Sequence, residues 1–342
     1  MTLVEVLPLL MFAVLGLLLF TGLPVTFVLA GVGLGFALIG IGLEEFLPIQ
    51  FKVLPSRIFG SIFENAILTA IPMFIFMGTM LEKSGVARDL LNCLQVLLRR
   101  VPGGLALGVT LMGTILAATT GIIGASVIMM TLLALPVMIE RKYNHELATG
   151  TIAASGTLGI LIPPSIMLVI MADLLSRSVG DLFMAAVFPG LLLAGLYIAY
   201  IVIRCTLNPK LAPMLDADVG PQNLVAVLVM VLRSFVPPIL LISIVLGSIL
   251  GGFATPTEAA GVGAMGAILL GFINLVILPV MGVSEVAGFN TNTDVDMGNH
   301  AIGSGFTKEL HQFGRTLTEV VERAMLTNAM IFGIFIGATL FS

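Results

Sequence analysis

The chain has 342 residues, of which 58% are hydrophobic and 10% charged, with a formal net charge of −4 and a mean hydropathy of +1.15. A soluble domain carries roughly 25% charged residues to wet its surface, so a chain this poor in charge must turn most of its surface to lipid. No basic block points to nucleic acid, and Cys93 and Cys205 stand outside any metal-type spacing or disulfide framework.

Apolar runs fall at about 4–21, 24–43, 62–82, 102–120, 123–140, 146–176, 182–205, 235–252, 256–279 and 324–341. A helix needs about 20 such residues to cross a bilayer. Backbone groups in lipid must be satisfied within their own segment, and no alternation of period two marks a barrel. The predicted fold class is all-α, a polytopic membrane protein. The run from Val4 to Phe20 lacks a basic n-region and reads as a mature helix rather than a signal peptide.

Amphipathic pieces lie between the runs. Val86 to Arg100 alternates charge and leucine at helical spacing and is expected at an interface, as are Gln222 to Arg233 and Lys308 to Arg323. The polar stretch 283–306 is expected to be one long loop, with no function assigned to it. Lys83, Arg88, Arg99 and Arg100 precede the run at 102–120, and Arg141 and Lys142 follow the run at 123–140, so the two basic clusters share a side. By the positive-inside rule that side is cytoplasmic, which places the N-terminus outside. The segment TTGIIGAS, Thr119 to Ser126, is short, uncharged and rich in glycine and hydroxyls. It predicts the tip of a re-entrant hairpin over 102–140 that stops inside the membrane.

The sequence repeats itself. Val14-Leu15-Gly16, Pro24, Thr26 and Ala30-Gly31-Val32-Gly33 recur in order as Val245-Leu246-Gly247, Pro256, Thr257 and Ala260-Gly261-Val262-Gly263. ILTAIPMFIFMGTML (Ile67 to Leu81) then matches MLTNAMIFGIFIGATL (Met325 to Leu340), with one residue inserted. An odd number of crossings separates the partners, so the two copies are expected to be inverted. Inverted repeats are a signature of secondary transporters, with binding near the midplane; convergence of similar bundle helices is the other explanation. The predicted organisation is a first repeat over 1–206, containing the hairpin and a broken helix at 146–176, a cytoplasmic connector with an amphipathic helix at 207–234, and an incomplete second repeat over 235–342. The copy of the hairpin that would follow Ser342 is absent, so the chain is expected to be truncated or completed by another polypeptide.

The candidate site is SGTLGILIPPSIM, Ser155 to Met167. Each proline lacks an N–H, so Pro163 frees the carbonyl of Gly159 and Pro164 that of Ile160. Freed carbonyls at membrane depth are costly unless something binds them, and discontinuous helices use them to hold sodium. Gly156 and Gly159 permit close backbone approach. Thr119, Thr120, Ser126 and Thr157 could add neutral oxygens, and Thr119, Ser126, Gly156 and Thr157 are candidates for substrate or hairpin-tip contacts. A plain proline kink, with the hydroxyls bonded back to their own helices, is the alternative. Pro237-Pro238 is expected to mark a helix start. Glu64, Glu258, Asp173 and Asp181 fall near helix ends and are expected to cap them or sit at the interface. The three histidines are isolated, and no HExxH, GxSxG, P-loop or paired catalytic carboxylates occur, so no enzyme and no ATP hydrolysis is expected.

These motifs resemble the large membrane subunit, DctM, of the tripartite ATP-independent periplasmic (TRAP) transporters. The resemblance runs from about Leu10 to Ser342 and is strongest in ENAILTAIPMFIFMGTMLEKSG (Glu64 to Gly85), ELATGTIAASGTLGILIPPSIMLVI (Glu146 to Ile170) and ATPTEAAGVGA (Ala254 to Ala264). ATTGIIGASVIMM, ADLLSRSVGDLF and the ending IFIGATLFS are most similar to the branch named for mannitol and chloroaromatic compounds. The resemblance implies a sodium-driven, elevator-type importer of organic acids in a bacterial inner membrane, with no cofactor beyond Na+ as coupling ion. It implies two partners, a small four-helix membrane subunit and a periplasmic substrate-binding protein. It also places one sodium site at Thr120 and the backbone of Gly159, Ile162 and Pro164. The second site belongs to the absent hairpin, so the chain alone is expected not to transport. Other readings are a single-component sodium/carboxylate symporter, whose Ser-Asn-Thr hairpin tips are not found at Thr119 to Ser126, and a channel-like or structural bundle.

Overall fold

The structure, a computed structural model, describes residues 3–44, 46–120, 123–213, 224–280 and 306–342. The hairpin tip at 121–122, residues 214–223 of the connector and nearly all of the polar stretch 283–306 lie outside the described residues. Every regular element among the described residues is helical. Five helices there are long and apolar enough to cross a bilayer, or six if one bent pair counts as a span.

The described residues form two compact units. The smaller contains residues up to Thr69 and from Met325 onward. Its first two helices, α1 (Leu3–Leu19) and α2 (Val25–Gly42), are joined by a turn in which Gly22 takes φ 80°, with Pro24 as the N-cap of α2. The end of the last helix, Phe306–Phe341, lies on α2, where absent side chains let the backbones meet. A Cβ on Gly33 would lie 2.7 Å from the Cα of Phe341, and one on Gly337 would lie 2.7 Å from the Thr26 carbonyl oxygen. Phe12 meets Phe341 edge to face, with ring centroids 5.5 Å apart. A short α3 (Leu54–Ile58) runs into a π-turn, Phe59–Phe63.

Past this π-turn the apolar run expected at 62–82 becomes helical again only at α4 (Ala70–Lys83). The Asn65 side chain accepts from Ile67 N–H (3.0 Å) and the Thr69 hydroxyl donates to the Ala66 carbonyl (2.5 Å). Such local side-chain bonds compete with the helix for the same backbone groups.

The larger unit holds residues 70–324. It contains α4, α5 (Val86–Leu97), α6 (Gly104–Thr120), α7 (Ile123–Glu140), α8 (His145–Leu161), α9 (Ile166–Leu174), α10 (Val179–Leu207), α11 (Leu224–Leu250) and α12 (Pro256–Phe272). α12 continues through a π-turn, Ile273–Ile277, to Val280. α4 packs most extensively on α12, and α6 on α8. Here too glycine sets the approach: a Cβ on Gly263 would lie 2.6 Å from the Met77 sulfur, and one on Gly271 would strike Met80. Small residues at helix crossings are how membrane helices gain packing without a hydrophobic driving force.

Two sequence expectations need correction. α11 runs unbroken from Leu224 to Leu250, so Pro237 and Pro238 lie inside it and mark no helix start. Bundled membrane helices tolerate interior prolines because neighbouring groups can satisfy the freed carbonyls. From Leu224 onward the interfacial piece expected at Gln222 to Arg233 is accordingly continuous with this span, as Lys308 to Arg323 is with the last helix.

Candidate functional site

α8 and α9 form the bent pair, meeting at 42° across residues 162–165. Ile162 is extended (φ −89°, ψ 121°), and its N–H still reaches the Leu158 carbonyl at 3.0 Å. The next two residues are Pro163 and Pro164, so the Gly159 and Ile160 carbonyls have no N–H four residues on. Their fates differ. The buried Ser165 turns its hydroxyl back and donates to the Ile160 carbonyl at 2.8 Å. As N-cap of α9 it makes no side-chain cap bond, which leaves the first-turn N–H groups of α9 without a cap from Ser165. The break therefore presents a carbonyl at Gly159, the negative end of the α8 dipole and the positive end of the α9 dipole.

α6 runs parallel to α8. Leu105 N–H donates to the Tyr143 hydroxyl (3.2 Å) near the start of both helices, and Ser155 Oγ meets Thr110 Oγ1 at 3.3 Å further along. A Cβ on Gly113 would lie 2.8 Å from Ser155 Cβ, so these two positions share a level. At about 1.5 Å rise per residue, Thr120 lies roughly 10 Å beyond Gly113 and Leu161 roughly 9 Å beyond Ser155. The end of α6 therefore reaches the level of the break. Thr119 and Thr120 are the last residues of α6; their side chains lie outside the described residues.

The remaining predicted residues group around this point. Gly156 is buried, and the space of its missing Cβ is filled by Val127 of α7, so this glycine seats the second hairpin helix on α8. Ser126, its neighbour on α7, is 2% exposed. The half-buried Thr157 donates to the Ala154 carbonyl at 2.7 Å; having donated its hydrogen, its oxygen keeps lone pairs for a cation. Gly190 of α10 closes the other side, where a Cβ would lie 3.3 Å from the Leu161 carbonyl oxygen. Ser165 and Gly190 are the residues that sequence reasoning missed. Among the described residues no three His, Cys, Asp or Glu side chains converge, and the oxygens gathered at the break are carbonyls and hydroxyls.

The family model for the DctM component of tripartite ATP-independent periplasmic transporters matches residues 12–342. The chain belongs to the DctM family. A C4-dicarboxylate TRAP transporter large permease protein DctM of Pseudomonas aeruginosa is 35% identical over 240 residues, 70% of this chain and 54% of that protein. The sialic acid TRAP transporter large permease protein SiaM of Vibrio cholerae is 31% identical over 277 residues, 81% of this chain and 61% of that protein. The ectoine TRAP transporter large permease protein TeaC of Halomonas elongata is 28% identical over 238 residues, 70% of this chain and 54% of that protein. The chain thus spans roughly half the length of these DctM relatives.

Proposed function

We propose that the chain is a permease component of a sodium-coupled, ATP-independent importer of organic acids, and that its first coupling-ion site lies at the α8–α9 break. The observation that carries this reading is the Gly159 carbonyl, which Pro163 deprives of its helical partner while Ser165 satisfies its neighbour. A carbonyl at a helix C-terminus suits a monovalent cation. Gly159, Ile162 and Pro164 would supply backbone oxygens, with Thr120 from the adjoining hairpin end. The opposed N-terminus of α9 suits an anionic head group, in keeping with relatives named for C4-dicarboxylates and sialic acid. Thr119, Ser126, Gly156 and Thr157 border that space from the hairpin and α8. As a TRAP permease it would sit in a bacterial inner membrane with a small membrane subunit and a periplasmic binding protein. The hairpin sequence and the ending IFIGATLFS support the mannitol and chloroaromatic branch, a name that does not set the substrate.

An inverted repeat is part of the same reading. Gly33 and Gly263 are equivalent in the two copies, and each takes a helix of the other copy: Gly33 meets Leu340 and Phe341 of the last helix, and Gly263 meets Met77 of α4. Each lies on the second helix of a packed pair joined by a short turn, α2 after α1 and α12 after α11.

The test uses Ile162→Cys, since Ile162 is half-buried and the native Cys93 and Cys205 are fully buried. In proteoliposomes, maleimide labelling at position 162 should slow in NaCl relative to KCl at equal ionic strength. Equal rates in the two salts would remove the support for a sodium site here.

A further inference from the structure

Six cations stand at one end of the larger unit. Arg99 and Arg100 lie between α5 and α6, Arg141 and Lys142 between α7 and α8, and Arg204 and Lys210 at and just beyond the end of α10. Three tertiary contacts gather these connections. Tyr143 Oη accepts from Leu105 N–H at 3.2 Å, Asn144 N–H donates to the Leu211 carbonyl at 2.9 Å, and a Cβ on Gly103 would lie 2.6 Å from Cys205 Sγ. Glu140 and Glu146 are the acids on the same described stretches, so six cations stand against two carboxylates in a chain of net charge −4. Arg100, Lys142, Arg204 and Lys210 are exposed. Next to them in the sequence, Leu97, Ile139, Ile203 and Leu207 are exposed apolar residues at the ends of α5, α7 and α10.

Lys142 adds an independent observation. It sits at φ 58°, in the left-handed position that ends α7. Tyr143 N–H reaches the Met138 carbonyl at 3.0 Å and Lys142 N–H the Ile139 carbonyl at 2.9 Å, a Schellman turn whose left-handed place normally belongs to glycine. A side chain there is strained, and a strained residue is the kind that function retains. What lysine offers that glycine does not is a cation on this face.

We propose that the face binds anionic phospholipid headgroups of the adjoining leaflet, with Arg100, Lys142, Arg204 and Lys210 as the phosphate contacts. Juxtamembrane cations attract anionic lipid. The exposed apolar residues beside them suit acyl chains, which favours a lipid over a free anion. The site is independent of the sodium reading and stands or falls without it.

Native mass spectrometry of the full chain in detergent, with phosphatidylglycerol or phosphatidylcholine added at equal concentration, tests it. The wild type should retain phosphatidylglycerol preferentially. Lys142→Gly removes one cation while suiting the turn, so the fold is kept, and it should weaken that retention about fivefold; Lys142→Arg should restore it. The combined Arg100→Gln, Lys142→Gln, Arg204→Gln, Lys210→Gln variant should abolish the preference. A control changing the exposed Lys52 and Arg57 to Gln should leave it intact. Equal retention of the two lipids by the wild type, undiminished phosphatidylglycerol on Lys142→Gly, an equal loss in the control, or displacement by inorganic phosphate would each overturn the proposal.

Discussion

Two adjacent carbonyls at the α8–α9 break lose their N–H partners for the same covalent reason, and a buried serine replaces the partner of one of them, Ile160. Ser165 is fully buried and its hydroxyl serves Ile160. Ser165→Ala would leave that acceptor unpaired, and an unsatisfied buried group costs about 1–3 kcal/mol. A lowered unfolding midpoint in detergent is expected; an unchanged one would mean that water or another donor reaches Ile160. Gly156→Ala should also destabilise, because its methyl would run into Val127, and overpacking costs about 1–3 kcal/mol. Adding Val127→Ala should recover much of that loss, a coupling that a double-mutant cycle reads directly. The freed carbonyls were legible in the sequence because proline's missing N–H is covalent. The direction of the Ser165 hydroxyl was not, since a serine after two prolines can cap forward or bond backward. Nor was the reason for Gly156: a glycine announces that something comes close, and only the fold shows that it is Val127.

At the scale of elements, the corner between α4 and α5 is held by a residue from a π-turn. Asn274 Nδ2 donates to the Ser84 carbonyl at 2.6 Å and lies 3.4 Å from Asp89 Oδ2. π-turns often carry such site-specific contacts. Burial holds the Asp89 carboxyl above its ordinary value of 3.8, with Arg233, the Asn274 hydrogen bond and Arg88 pulling it partly back. The folded protein therefore binds this proton more tightly than the unfolded chain. Asp89 contributes most to stability below its ordinary pKa, and that contribution is lost as pH rises through the raised folded value. Asp89→Asn cannot ionise, so its unfolding midpoint should gain on the wild type as pH increases through that window. A constant difference would show that Arg233 fully compensates the buried charge. By contrast Lys83–Glu319 and Arg323–Glu82, at 3.1 and 2.9 Å, each keep one well-exposed partner, and ion pairs open to solvent are worth about 0–1 kcal/mol. Helices were readable from apolar length, but their limits were not. The polar-to-apolar change near residue 324 suggested two elements, whereas Phe306–Phe341 is one helix without an interior proline.

For the whole molecule, the repeat and the positive-inside rule make one joint statement about topology that neither makes alone. Leu23 and Phe253 lie just before α2 and α12, the matching helices of the two copies, and both are exposed. Taking the apolar run at 62–82 as one crossing through α4, which is itself 14 residues long, the chain between them passes α2, α4, the α8–α9 pair, α10 and α11, while α6 and α7 form a hairpin that returns to its own side whether or not it crosses fully. Five passages are odd in number, so the two positions should face opposite sides. The basic ends of α5, α7 and α10 fix which is which, because cations gather on the cytoplasmic side. Leu23 should then face the cytoplasm and Phe253 the outside. Both native cysteines are buried, so single Leu23→Cys and Phe253→Cys variants can be labelled in intact cells with a membrane-impermeant maleimide. Position 253 should react directly and position 23 only after permeabilisation. Reaction of both from one side would sink the inverted repeat, and with it the expectation that each copy supplies the same device from opposite faces. The reverse pattern would keep the repeat but place the basic face outside.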